Sequence, residues 1–464
     1  MRRIAAITII ALRAAIRSRI VLLLMIPLFL AVVAIPMLVK GDQTVSGSVQ
    51  IMIQWSLWLA LAILSIATLW SGCAAVSSEV EEKQIHLIVT KPVTRLQLWL
   101  GKWFALLILN AALLVFTGIC VYSIVQHRSN KAVAAEPDPQ KRAEIRRMLD
   151  EELLVSRTRA KADYDVMNMA RLARKQITDG NRKMLEDGEI NEMPPSPPLG
   201  EIAEILQRRR GQVKPEEINQ WDFALPHRPD PDLPVFLYYK YHSGDIYKRL
   251  CEGLWIFGNE SNKVEITVVP TEHKTRRPIT IEIPHSAIAE DNTLRVAYHN
   301  IDTAGVGKEG EGASSVFFDV ADHLEVRYRS GGFLGNFSRV LLMMFFQLAF
   351  LAAVGVTMGS FFSLPVATFS AVGLLFVQML SGFLESSLTE DNTGSPMMQP
   401  VYDLMLTLIR PLRGPQIFEL LANGLEVTMG YLFSTFLWKV LLYGGIFALL
   451  GSYVLKRREL GLPS

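Results

Sequence analysis

The chain has 464 residues, 50% of them hydrophobic and only 20% charged, with a mean hydropathy of +0.25; that is too apolar for a soluble protein of this size and requires membrane segments. Its 47 basic and 45 acidic residues leave a formal charge of +2, so the cationic excess of a nucleic-acid-binding protein is missing. Cys73, Cys120 and Cys251 sit in three different regions and cannot form a disulfide framework within one domain.

Residues 1–19 carry Arg2, Arg3, Arg13, Arg17 and Arg19 among apolar residues at helical spacing. This predicts an amphipathic interfacial helix on an anionic membrane surface, its arginines reaching the headgroups. Ile20 to Val39 is long enough to span, and no A-x-A-like cleavage site follows, so it reads as a first span and not as a signal peptide. Val49 to Leu69 and Trp103 to Val125 are the second and third spans, giving a first membrane region over 20–126. A second membrane region, 334–464, holds the other three: Val340 to Phe362, Val366 to Leu384, and Phe436 to Leu455. Lys439 is expected to snorkel from the outer end of the last span. Residues 386–431 contain one apolar piece, Val401 to Ile409, which is too short to cross the bilayer.

The short segments rich in Lys and Arg are the N-terminal helix, the loop after span two (Lys83, Lys91, Arg95, Lys102) and the tail at Lys456, Arg457 and Arg458. With six spans all three fall on one side, the cytoplasmic one, so both termini are expected inside and 127–339 outside.

That external insert divides in two. Residues 127–233 read as a helical stalk with a Pro-rich linker: a long charged helix is expected over Lys141 to Ile177, a Pro-rich break at Met193 to Leu199 ends that region, and a shorter helix over Glu201 to Arg210 follows. Over 234–333 the periodicity changes to two: Val264 to Val268, Ile279 to Ile283, Thr293 to Tyr298, Val316 to Val320 and Leu324 to Tyr328 alternate between polar or Gly-containing turns. This predicts a small antiparallel β-sandwich, jelly-roll-like.

Catalytic motifs are absent from the sequence. There is no G-x-x-x-x-G-K-[ST], since Gly305-Val-Gly-Lys308 is followed by Glu309, so ATP bound in the P-loop manner would have to sit in another subunit. G-x-S-x-G and H-E-x-x-H are missing too, and no enzymatic role is expected. His227, His242, His273, His285, His299 and His323 are not paired at ligand spacing, so no metal site is assigned.

The most informative stretch runs from Ser77 to Lys102, SSEVEEKQIHLIVTKPVTRLQLWLGK. Acidic Glu79, Glu81 and Glu82, with Lys83, precede an apolar piece containing Ile85, Leu87, Ile88 and Val89; Lys91-Pro92 then breaks the chain, and Thr94 is placed to cap a helix starting at Arg95 that re-enters the bilayer. This order of acidic cluster, short amphipathic piece, Lys-Pro-Val-Thr-Arg turn and closing Leu-Gly-Lys resembles the first cytoplasmic loop of type-2 ATP-binding-cassette (ABC) transporter permeases, nearest to the subgroup described as permeases for multicopper-enzyme maturation. The resemblance covers the membrane parts and leaves out the insert.

The resemblance implies a polytopic α-helical membrane protein of six transmembrane helices in the cell inner membrane, without a cofactor of its own, because ATP and Mg would belong to a partner ATPase. It implies that the loop over 73–102 is the coupling element: Glu79, Glu81, Glu82 and Lys83 would contact the ATPase, Ile85, Leu87 and Ile88 would pack into its groove, and Arg95 and Lys102 would hold the loop to headgroups. A second permease copy or paralogue would complete a dimer, and residues 386–431 would hold external or re-entrant helices, as that position does in the family. The family's loop usually has Gly-Thr where this chain has Gln84-Ile85. Polar residues within spans, Gln54, Ser56, Thr68, Asn110, Thr117, Gln347, Thr357, Gln378 and Ser381, must face protein and would mark a translocation path or helix seams. The alternative function is a membrane-anchored mechanotransmitter or envelope-binding protein whose external sandwich binds polysaccharide or a protein partner.

Overall fold

The computed structural model describes residues 2–17, 26–28, 30, 45–81, 93–162, 166–188, 192, 194, 197–244, 250–258, 266–274, 277–301, 314–320, 323–390 and 417–457. Most of the expected first span, and the apolar piece at 401–409, lie outside these residues. The chain divides into two compact units, one of Met1–Ser156 with Gly331–Ser464 and the other Arg157–Ser330.

The first unit is helical. An amphipathic helix α1 (Arg2–Arg17) is followed by two long helices, α2 (Val45–Glu81) and α3 (Arg95–Ala135), and by a short α4 (Pro139–Met148) that ends in a π turn. After the insert come α7 (Phe333–Phe361), α8 (Leu364–Glu390), the short α9 (Ile417–Ala422) and α10 (Met429–Arg457). Among the described residues α2, α3, α7 and α10 are long and apolar enough to cross a bilayer, which makes the chain a membrane protein. Each runs past the apolar core that sequence periodicity marks, because backbone hydrogen bonding inside the helix continues into the flanking polar turns.

The centre of this unit is α7, most of whose side chains from Gln347 to Ser360 are buried. It packs closely on α2 through the spacing Gly355-Val-Thr-Met-Gly359. A Cβ on Gly359 would lie 2.4 Å from the Cys73 carbonyl oxygen, and one on Gly355 would lie 2.9 Å from that of Leu69, so only hydrogen fits at either position. At the other end of the bundle Asn336 spans a loop, donating to the Leu425 carbonyl at 2.7 Å and accepting from the Val427 amide at 2.9 Å, beside an Arg339–Glu426 ion pair at 2.6 Å. Leu149 and Leu153, expected within the external stalk, instead join this unit's core.

The second unit contains antiparallel sheets. Its elements are β1 (Val155–Lys161), α5 (Val166–Glu186), α6 (Leu199–Gly211), β2 (Gln212–Val213), β3 (Ile218–Ala224), β4 (Val235–Tyr239), β5 (Tyr241–Ser243), β6 (Leu250–Phe257), β7 (Thr267–Lys274), β8 (Ile279–Ile283), β9 (Thr293–Asn300), β10 (Val316–Phe318) and β11 (Leu324–Gly332). They form sheets of order β1-β11-β4-β8, β2-β10-β5 and β3-β9-β6-β7. Strands of all three sheets supply one buried core containing Trp221, Tyr239, Tyr241, Trp255, Tyr298 and Phe318. Rings there meet at centroid separations of 4.7 to 6.3 Å, mostly in tilted and edge-on pairs, the geometry aromatic quadrupoles favour, with Tyr239 stacked on Tyr241. Burial pushes the phenols of Tyr239 and Tyr241 well above their ordinary pKa of 10.0.

The long helix expected over 141–177 is not continuous. The π turn at Leu149–Leu153 ends α4, and Val155–Lys161 forms a strand that β11 pairs with. Val155 and Thr158 are β-branched, and a ladder partner outweighs the marginal helix propensity of so charged a segment. Strands also begin before residue 234, with Ile218–Ala224 paired along its whole length to β9.

Candidate functional site

The resembled loop joins α2 to α3, and its root is built by the two helix ends. Residues 82–92 lie outside the described residues, so Glu82, Lys83, Ile85, Leu87 and Ile88 are not placed. On the α3 side the expected cap is present. The Thr94 hydroxyl accepts the Gln97 amide at 3.3 Å while the Gln97 side chain accepts the Thr94 amide at 3.2 Å, a reciprocal box that fixes where the helix begins.

The first two turns of α3 are where α1, α2, α7 and α10 meet. Thr8 of α1 donates to the Gly101 carbonyl at 3.1 Å, and a Cβ on Gly101 would collide with Ile7 at 2.6 Å, so the glycine lets α1 lie directly on α3. The Trp99 indole N–H donates to the Thr357 hydroxyl of α7 at 3.2 Å, and that hydroxyl donates to the Phe447 carbonyl of α10 at 3.0 Å. Trp103 stacks on Trp99 with ring centroids 5.8 Å apart and donates to the Ala349 carbonyl at 2.9 Å.

Lys102 completes the junction. Its side chain is 2% exposed, its ammonium pairs with Glu79 at 2.5 Å, and it donates to the Ala75 carbonyl one turn earlier on α2. This differs from the expected headgroup contact. The alkyl stem points into the α2–α3 seam, and a buried ammonium is held there only because a carboxylate and a carbonyl replace its water. Glu79, expected to face a partner, is therefore engaged within the chain while remaining 29% exposed. Glu81 accepts the Leu364 backbone amide at 3.0 Å, satisfying a donor at the start of α8. Arg95 is half-buried at the start of α3.

The polar span residues do not act as one set. Ser56 and Thr117 donate to carbonyls four residues back in their own helices, at 2.6 and 2.8 Å. Thr68 donates to Asn110 at 3.0 Å across the α2–α3 seam, and Thr357 joins three helices as described. Gln54 is exposed, and the side chains of Gln378 and Ser381 lie outside the described residues. Gln347 is fully buried, with its carbonyl oxygen accepting from the Lys439 ammonium. Lys439 thus turns inward to α7 from a π-helical stretch of α10, Phe436–Tyr443, and does not snorkel. A fully buried amide provides a partner inside the bundle, which the polarity of the span alone did not reveal.

Among the described residues no group of three or more His, Cys, Asp and Glu could hold a metal ion. His285 bonds the Leu233 carbonyl at 2.7 Å and His323 pairs with Asp319 at 2.9 Å. The glycine spacing at 355–359 and the inward Lys439 were missed by sequence reasoning. The first was available as a small-xxx-small pattern in an apolar helix and the second as an ionisable residue within a span.

Compared with known proteins, no family model, no curated protein and no solved structure matches this chain.

Proposed function

We propose that the chain is the membrane-spanning permease subunit of an ATP-driven ABC transporter, docking on a separate ATPase through the loop between α2 and α3. The observation that carries this reading is the root of that loop. Glu79–Lys102 ties the end of α2 to the start of α3, and Glu81 reaches the start of α8, so a displacement of the loop would be passed to three helices at once. In this reading six spans cross the inner membrane with both termini cytoplasmic, and a second permease subunit pairs with the first. The unit over 157–330 is then an extracytoplasmic β-sandwich of jelly-roll type. The separate aromatic core of that unit favours a second reading, in which the sandwich binds an envelope polysaccharide or protein and the membrane part transmits motion to it.

The test is co-purification of the full chain with candidate ATPases. The variant should carry Glu82→Lys with Ile85, Leu87 and Ile88 changed to Ala, leaving Glu79 and Lys102 intact so that the helix ends stay tied. Retention of an ATPase by the parent chain and its loss by the variant supports the coupling reading. If neither form retains any ATPase, the transporter reading falls and the envelope-binding one remains.

A further inference from the structure

Between the start of α3 and the last two turns of α10 lies an open cavity of about 820 Å³. Its walls include Leu96, Leu449, Leu450 and Tyr453, and its polar edge includes Arg95 and Lys456. Among the described residues neither cation has a carboxylate partner, and no acidic side chain lines the cavity. Arg457 adds a third positive charge nearby, its guanidinium 4.9 Å from the centre of the Tyr453 ring. The site also adjoins the amino end of α3, where the helix dipole is positive.

From this arrangement we propose that the cavity binds one anionic phospholipid from the leaflet at the start of α3, with the phosphate between Arg95 and Lys456 and the acyl chains against Leu96, Leu449 and Leu450. Three features select that occupant. A soluble phosphate would gain nothing from walls made of leucine, whereas a lipid uses both the walls and the cations. A zwitterionic lipid would leave the unpaired cations uncompensated, while a headgroup with net negative charge neutralises them. The volume is that of a site for a whole small molecule and exceeds what a single ion fills. The lipid would lean on the first turn of α3, the helix whose opening residues receive α1, α2, α7 and α10 contacts, and so would bias the loop root. The proposal does not depend on the transporter reading, since the cavity lies in the membrane unit whatever the loop contacts.

The full chain, purified in detergent, is titrated with dioleoyl phosphatidylglycerol or dioleoyl phosphatidylcholine, and bound lipids are counted by native mass spectrometry. The expected result is one phosphatidylglycerol held at least tenfold more tightly than phosphatidylcholine. Arg95→Gln with Lys456→Gln should reduce that preference roughly tenfold, about a factor of a few per cation. Arg95→Lys with Lys456→Arg should keep it, which separates loss of charge from loss of fold. Arg182→Gln with Lys183→Gln, two exposed charges on α5 in the other unit, should leave it unchanged. Equal affinity for the two lipids overturns the proposal. So does a preference that survives the neutralised pair, one that falls as far in the α5 control, or displacement by free glycerol phosphate.

Discussion

Helices α7 and α10 have the same length, 29 residues, and both are apolar enough to cross a membrane, yet 83% of the apolar window of α7 is buried within the chain against 11% of that of α10. The difference lies in which small and polar residues meet another helix, since Gly430 and Gly445 of α10 meet nothing within 4 Å. Glycines at 355 and 359 bring α7 against α2, and Thr357, Gln347 and Asn336 give it hydrogen-bonding partners along its length. Leu437, Trp438, Leu441, Leu442, Ile446 and Leu449 of α10 are instead large and exposed. Apolarity qualifies a helix for the bilayer; small residues and paired polar groups decide whether it is covered by protein or by lipid.

The largest effect should come from a polar group that the chain itself buries. Glu79→Leu leaves the Lys102 ammonium, 2% exposed, without its carboxylate, and should cost about 3–5 kcal/mol. Lys102→Met should cost clearly less, because the Glu79 carboxylate is 29% exposed and can take up water. Glu79→Leu combined with Lys102→Met should return close to the parent value, since an apolar pair of similar volume replaces the ion pair. Thermal unfolding of the four proteins in one detergent tests this; additive losses in the double variant would mean that the two side chains are not coupled.

Next in size is the helix contrast itself. Gly359→Leu drives a side chain into the Cys73 carbonyl and should cost about 3 kcal/mol, the upper end of overpacking. Gly445→Leu on α10 meets nothing within 4 Å and should be neutral or stabilising by up to about 1 kcal/mol through helix propensity. Similar losses at both positions would show that α10 is as tightly covered as α7.

The same contrast explains what could be read from the sequence. Long apolar runs mark α2, α3, α7 and α10, and Thr94 marks the start of α3, because each depends on local chemistry: a span needs length, and a cap needs one hydroxyl three residues from one glutamine. Strands with clean alternation were visible for the same reason, such as the one expected over Thr293 to Tyr298 and found over Thr293–Asn300. Val235–Tyr239 has four of its five residues buried, so its pattern of Val, Phe, Leu, Tyr and Tyr does not alternate and no period marks it. Val155–Lys161 is a strand only because β11 lies beside it, and sequence spacing carries no record of a partner some 170 positions later. Lys102 was equally opaque: a lysine near a helix end ordinarily snorkels, and only the position of Glu79 on the neighbouring helix turns it inward.

The smallest effects are expected on the bare face of α10, and there the size of the effect carries the information. Leu441 is 52% exposed and Ile446 44%. If lipid covers them, Leu441→Ala and Ile446→Ala exchange one apolar surface for another in an apolar solvent, and each should shift stability by less than about 0.5 kcal/mol. If a second copy of the chain packs there, truncation opens a gap in a protein seam. The loss would then be larger and would grow as the protein is diluted, because assembly follows mass action. Unfolding of both variants at two protein concentrations therefore separates the cases. A small shift independent of concentration leaves α10 facing lipid, whereas a loss that deepens on dilution identifies its bare face as the surface where two copies of the chain meet.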